Sequence, residues 1–251
     1  MKRFESKVVL VLGGNAGIGR ATAEAFAREG AKVVVAARRE DQGVAVVQAI
    51  QKAGGTAKFI RADVAKEADV RAVVDGTVKE YGQLDVLFNN AGIEGKGGPI
   101  GTLGTADFDE TFGVNVRGTW LGMKHALPHL AKTRGAIINN SSVVADVGFS
   151  DFTIYSASKG AVNALTRAAA IEFISQGVRV NAVAPGPIVT DMAARVFGSL
   201  ESLQAVAKQM VPLGTPGQVE DIAGAVLYLA SPEAKFVVGQ ILTVDGGLTV
   251  H

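Results

Sequence analysis

Tyr155 and Lys159 stand four residues apart in the run Tyr155-Ser156-Ala157-Ser158-Lys159, and Ser142 lies thirteen residues upstream. On a helix, positions i and i+4 share one face, so the two side chains can meet. A phenol ordinarily titrates near pH ~10. A neighbouring ammonium favours the phenolate and pulls that pKa towards neutrality, where a tyrosine can act as general acid or base. The same spacing also occurs as a plain polar pair on a helix surface. A glycine-rich turn at 13–19 gives the pair a second meaning. An acid–base tyrosine together with a nucleotide turn describes hydride exchange with a nicotinamide cofactor.

The turn reads Leu12-Gly13-Gly14-Asn15-Ala16-Gly17-Ile18-Gly19, between an apolar run at 8–12 and a helical pattern over 18–29. Strand, turn and helix in that order are the setting of a dinucleotide turn. Gly13, Gly17 and Gly19 permit close approach of backbone to a pyrophosphate, and Asn15 lies between them. The helix N-terminus adds unpaired N–H groups and partial positive charge. A turn that only packs strand on helix is the alternative.

At the end of the second strand, an acidic residue would accept from a free ribose 2′-hydroxyl. This chain has Ala37, then Arg38 and Arg39. A guanidinium holds a 2′-phosphate through charge-assisted hydrogen bonds. NADP(H) is therefore favoured, with NAD(H) second, unless both arginines are ordinary surface charges. Asp63-Val64 follows the third strand, and Asn89-Asn90-Ala91-Gly92 follows the fourth. Ligands of doubly wound sheets bind beyond the C-terminal strand ends. Asp63, Val64, Asn89, Ala91 and Gly92 are thus candidate cofactor contacts, although each could be only a turn.

The elements that must position these groups alternate along the chain. Apolar runs predict strands at 8–12, 33–37, 58–62, 84–88, 136–140, 178–183 and 241–244. Helical patterns fill 18–29, 41–53, 67–80, 106–132, 153–175 and 219–230. Fully apolar strands separated by helices imply an α/β fold, a doubly wound parallel sheet of about seven strands with helices on both faces. No internal repeat or linker divides the 251 residues, so one domain spanning 1–251 is expected. The least regular stretch, 187–216, is expected to form a mobile substrate lid.

The formal charge of +1 gives no reason to expect nucleic acid or a membrane surface as partner. The chain has no cysteine, which excludes disulfides, thiolate metal sites and a cysteine nucleophile. No run approaches the ~20 apolar residues of a membrane span. The run at 8–12 is too short for a signal-peptide core, so a cytoplasmic location is expected.

With these pieces in place, the chain resembles the short-chain dehydrogenase/reductase family over essentially its whole length. The resemblance rests on Gly13-x-x-x-Gly17-x-Gly19, Asp63, Asn89-Asn90-Ala91-Gly92, Asn115, Ser142, Tyr155-x-x-x-Lys159, Pro185-Gly186 and Val244-Asp245-Gly246-Gly247. It implies a Rossmann-type fold and a catalytic tetrad of Asn115, Ser142, Tyr155 and Lys159. Tyr155 would exchange a proton with the carbonyl or alcohol oxygen, and Ser142 would hydrogen-bond the same oxygen. Lys159 would bind the nicotinamide ribose and lower the tyrosine pKa. Asn115 would hold a water linking Lys159 to solvent. No metal is needed.

The resemblance further implies that Pro185, Gly186, Ile188 and Thr190 face the nicotinamide, with Ile18 lining the same pocket. It also implies a homotetramer built on long helices and the C-terminal strand. Ser141 adjoins Ser142 as a rival hydroxyl, and the thirteen-residue spacing selects Ser142. One departure is visible. Leu12 stands where the family usually has a threonine whose hydroxyl ties the turn to the Asn89 region.

Candidate substrate contacts are Val144, Phe149, Phe152, Met192 and Phe197, beside Ser142 and Tyr155; Ile93, Glu94 and Val143 flank them. Most are apolar, which suits an uncharged, moderately hydrophobic small-molecule ketone or secondary alcohol. Glu94 either selects a polar or cationic group or is a lone surface carboxylate. The expected activity is that of an NADP(H)-dependent carbonyl reductase or alcohol dehydrogenase. A 3-oxoacyl-[acyl-carrier-protein] reductase is the alternative; its acidic carrier would need a basic rim, for which Lys132 and Arg134 are candidates. A non-catalytic NADP(H)-binding regulator is the alternative of another class. A missing tetrad residue would mark it, and none is missing.

Overall fold

The computed structural model describes residues 2–250. Seven strands form one parallel sheet: β1 (Val8–Leu12), β2 (Lys32–Ala37), β3 (Thr56–Arg61), β4 (Val86–Asn89), β5 (Ala136–Asn140), β6 (Arg179–Pro185) and β7 (Ile241–Val244). Their spatial order is β3-β2-β1-β4-β5-β6-β7. The order reverses between β1 and β4, which is where ligands enter sheets of this kind. The helices are α1 (Gly17–Arg28), α2 (Glu40–Lys52), α3 (Glu67–Tyr81), α4 (Thr105–Phe112), α5 (Gly118–Thr133), α6 (Thr153–Phe173), α7 (Asp191–Phe197), α8 (Leu200–Met210) and α9 (Val219–Ala230). Among the described residues, no helix is long and apolar enough to cross a membrane.

Period-two alternation along the strands sorts the core into two layers. Val9, Val11, Val33, Val35 and Phe88 point to one face, against Phe26, Val46, Ile50, Ile222 and Val226 of α1, α2 and α9. Leu10, Leu12, Val34, Leu87 and Ile137 point to the other, against Val70, Val74, Leu121, Leu130 and Phe173 of α3, α5 and α6. Both faces are therefore buried, as the apolar strands require.

Two stretches differ from their sequence reading. The helix expected over 106–132 is two helices joined by a π-helical segment, Gly113–Arg117, which carries Asn115. Such widened turns recur at functional sites. The stretch read as irregular, 187–216, contains α7 and α8. Thr190 Oγ1 accepts from Ala193 N at 3.1 Å to cap α7, and Ser199 Oγ accepts from Ser202 N at 3.0 Å to cap α8. Gly198, at φ +86°, separates them.

Helix α5 approaches β4 closely because position 122 is glycine. A Cβ there would collide with Asn89 Oδ1 and come within 3.1 Å of Leu12 Cδ1. Both neighbours are buried and held. Gly122→Ala should therefore lower stability by about 1–3 kcal/mol, the usual range for overpacking, as read from urea unfolding. Unchanged stability would mean that α5 can lift away freely.

Candidate active site

The site lies across the C-terminal ends of β1, β2, β4, β5 and β6. A groove of about 460 Å³, more polar than the cavity beside it, runs over the β1 turn and the ends of β2 and β3. It meets an apolar cavity of about 230 Å³ beside β5 and β6.

At the groove end, Gly13 (φ +80°) and Gly17 (φ +51°) take backbone conformations that disfavour side chains. A Cβ at Gly13 would lie 2.7 Å from the Ala91 backbone, and one at Gly19 would collide with Gly13 O. Gly13 and Gly17 line the groove, whereas Gly19 is buried beneath the turn and serves its packing. Ala16, just before α1, makes no side-chain capping bond, so the first N–H groups of α1 have no side-chain acceptor there. An open helix N-terminus under a glycine turn fits a pyrophosphate.

Asn15, Ile18, Arg38, Arg39, Asp63, Val64, Ala91 and Gly92 also line the groove. The Arg39 guanidinium lies 3.0 Å from the Asn15 side-chain amide. Arg38 is exposed at the same rim. Arg38 and Arg39 thus place two guanidinium groups at the groove end of β2, with Asp63 beyond the end of β3.

Asn89 is a correction. It extends β4 by one residue and shares the face of Leu87, so its side chain points into the core. Its Nδ2 donates to Asn139 Oδ1 at 2.8 Å. Its Oδ1 is buried without a hydrogen-bond partner, on the side packed by Leu12. The groove is lined instead by Asn90, whose Nδ2 donates to Gly13 O at 2.8 Å. Asn140 Nδ2 in turn donates to Asn90 Oδ1 at 2.9 Å. These amides tie the glycine turn to Asn90, next to Asn89 at the end of β4, and on to the end of β5.

At the other end, Ser142, Tyr155 and Lys159 converge on the apolar cavity. Ser142 begins a short 3₁₀ turn after β5 and hydrogen-bonds the Tyr155 phenol. Its rival Ser141 is spent in the core, donating to Asn163 Oδ1 at 2.6 Å. Tyr155 and Lys159 share one face of α6, with Lys159 Nζ 5.7 Å from the tyrosine ring centroid. Lys159 Nζ donates to Asn140 O at 2.7 Å.

The electrostatics differ from the sequence expectation. Burial pushes the Tyr155 phenol up to about 12, opposed by the Ser142 hydrogen bond and assisted by the charge of Glu94. Burial pushes Lys159 down to about 8. Desolvation disfavours both charged forms and outweighs any help the lysine gives the phenolate. The phenol is thus held protonated, ready to donate.

Asn115 lines neither cavity. Its Oδ1 accepts from Ile93 N at 2.8 Å, and its Nδ2 donates to Ile93 O at 2.9 Å and to Ser158 Oγ at 3.0 Å. Its side chain therefore clamps the loop after β4 against α6.

Val144, Phe149, Phe152, Met192 and Phe197 line the apolar cavity, as do Pro185, Gly186 and Ile188, while Thr190 borders both spaces. Val196, Val206, Met210 and Leu248 complete the wall and were missed from sequence. The apolar spacing Leu200, Leu203, Val206, Met210 could have revealed α8 and its inner face. Lys132, in the last turn of α5, and Arg134, just after it, lie before the start of β5, at the opposite end of the strands from the cavity.

The chain matches the family model described as enoyl-(acyl carrier protein) reductase over residues 13–249. It is 40% identical to the glucose 1-dehydrogenase of Gluconobacter oxydans, covering 99% of this chain and 94% of that protein. It is 38% identical to 3beta-hydroxysteroid dehydrogenase 1 of Eggerthella lenta, covering 99% and 95%. The solved structure of levodione reductase superposes with a TM-score of 0.94 at 35% identity, covering 98% of both chains. On family, fold and site together, the chain belongs to the short-chain dehydrogenase/reductase family of NAD(P)-dependent oxidoreductases.

Proposed function

We propose that this protein transfers a hydride between NADP(H) and an uncharged, largely apolar ketone or secondary alcohol. The observation that carries this reading is the meeting of Ser142, Tyr155 and Lys159 where the polar groove opens into the apolar cavity. Bound in the groove, the nicotinamide cofactor supplies or takes up the hydride. Ser142 offers the substrate oxygen a hydrogen bond and stabilises the charge that develops there. Tyr155 Oη donates its proton to that oxygen in reduction and accepts it in oxidation. Lys159, fixed by Asn140 O, holds positive charge beside the phenol ring. Phe149, Phe152 and Phe197 shape the wall and exclude water, and residues 187–216 act as the lid over it.

The choice of NADP(H) rests on Arg38 and Arg39. One lost charge-assisted bond costs about 1.5–3 kcal/mol. Arg38→Ala should therefore weaken NADPH binding by roughly 10- to 100-fold and leave NADH nearly unaffected, as measured by fluorescence titration. Equal loss for both cofactors would remove Arg38 as a phosphate reader.

The assembly proposed is a homotetramer. Trp120 on α5, Ile171 on α6 and Phe236 before β7 stand exposed, and each is an apolar group that a subunit contact would cover. Light scattering should give four chain masses; a monomer would contradict this.

A further inference from the structure

Glu94 and Arg195 form an ion pair at the mouth of the site, with Nε to Oε1 at 2.8 Å and Nη2 to Oε2 at 3.4 Å. Glu94 comes from the loop after β4 and Arg195 from α7, so the pair joins the lid to the sheet. The position of Glu94 is fixed, because the Asn115 amide grips both the N–H and the carbonyl of Ile93 next to it. Glu94 borders both the groove and the apolar cavity, whereas Arg195 borders only the groove.

The cavity is otherwise poor in charge. Of the side chains lining it, only Glu94 and Lys159 can carry one near neutral pH. Lys159 is engaged by Asn140 O, and burial lowers its pKa to about 8. The field of Glu94 reaches the reacting atoms, since its charge is among the causes that raise the Tyr155 phenol.

We infer that Glu94 is a charge gate: it makes the cavity reject carbonyl substrates that carry an anionic group, and Arg195 sets the strength of that rejection. This rests on the hydride-transfer reading above. An incoming carboxylate loses its water in an apolar cavity and meets a like charge, on a loop whose backbone is held next to it at Ile93. A neutral ketone meets neither cost. The gate therefore assigns the substrate to neutral carbonyls and alcohols, with keto acids excluded.

The test uses benzoylformate and its methyl ester, which share a ketone and differ in one charge. Both are assayed with NADPH on wild type, Glu94→Gln and Arg195→Gln. They are also titrated against the NADP⁺-loaded proteins, where a ketone cannot be reduced. Glu94→Gln should shift the ester-to-acid ratio of kcat/KM towards the acid by ~10-fold or more, the scale of two like charges roughly 10 Å apart at an effective dielectric of about 20. Arg195→Gln, which leaves the carboxylate unpaired, should shift the ratio towards the ester. A ratio that stays fixed in Glu94→Gln overturns the gate. So does a shift in the same direction in both variants, which would report loosened docking of α7. Ester-selective binding that is lost in Glu94→Gln, without turnover in any variant, would keep the gate and overturn hydride transfer. Turnover with unchanged selectivity would do the reverse.

Discussion

Tyr155→Phe should lower kcat by ~10²–10⁴, the usual contribution of a positioned general acid or base, with NADPH binding kept within a few-fold. The substitution removes a single oxygen. The ring keeps its place 6.5 Å from that of Phe152, and neither the glycine turn nor the arginine rim is touched. Ser142 can still hydrogen-bond the substrate oxygen, so residual turnover reports what positioning alone achieves. Steady-state kinetics and NADPH fluorescence titration, taken together, check this. A loss under about tenfold would assign the proton to another group, because general acid–base catalysis is worth at least ~10²-fold where it operates.

Lys159→Met should cost on the order of 10² in kcat/KM through loss of the ammonium beside the phenol, and it should also change how stability depends on pH. Burial depresses the Lys159 pKa from 10.5 to about 8. Between these values the unfolded chain binds more protons than the folded one, so stability rises with pH across that window. It falls as pH drops from about 10.5 to about 8, and below 8 the cost of the buried charge is present in full. That cost is about 3 kcal/mol at 1.36 kcal/mol per decade. Tyr155, raised to about 12, works in the opposite sense, lowering stability only above pH ~10 where a free phenol begins to ionise. The two groups therefore act in largely separate windows. Urea unfolding of wild type and Lys159→Met at pH 7 and pH 10 should give a difference that moves by about 2–3 kcal/mol in favour of wild type at the higher pH. Parallel pH profiles would show that the lysine is not charged and buried at neutral pH.

Much of this arrangement was legible in the sequence because it is carried by local signals. Apolar runs bounded by glycine place the strands, and the β1 turn lies where strand meets helix. The i, i+4 spacing puts Tyr155 and Lys159 on one face of α6. What escaped reading depends on packing. Because β4 runs on through Asn89, alternation puts that side chain on the core face of Leu87 and leaves the groove to Asn90. A strand ended at Phe88 leaves both asparagines in a turn, with no face assigned to either.

Helix α7 is too short to show a period, and Pro187, Gly198, Pro212 and Pro216 made its surroundings look like loop. Helix α8 did carry an apolar period, and that signal was overlooked. Leu248 reaches the cavity because the chain turns after β7, where the Asp245 carboxylate accepts from Gly247 N at 2.9 Å and from Thr249 N at 2.8 Å. The pKa of Tyr155 could not be read from spacing, because proximity to a lysine says nothing about how dry both groups are.

The most direct test of hydride transfer is the initial rate of NADPH oxidation by wild type with a neutral aryl ketone or its cyclic analogue. The proposed chemistry predicts steady turnover at neutral pH, faster with NADPH than with NADH. Protein that binds NADPH tightly yet oxidises none of it against any neutral carbonyl would contradict the account and leave a nucleotide-binding protein without this reaction.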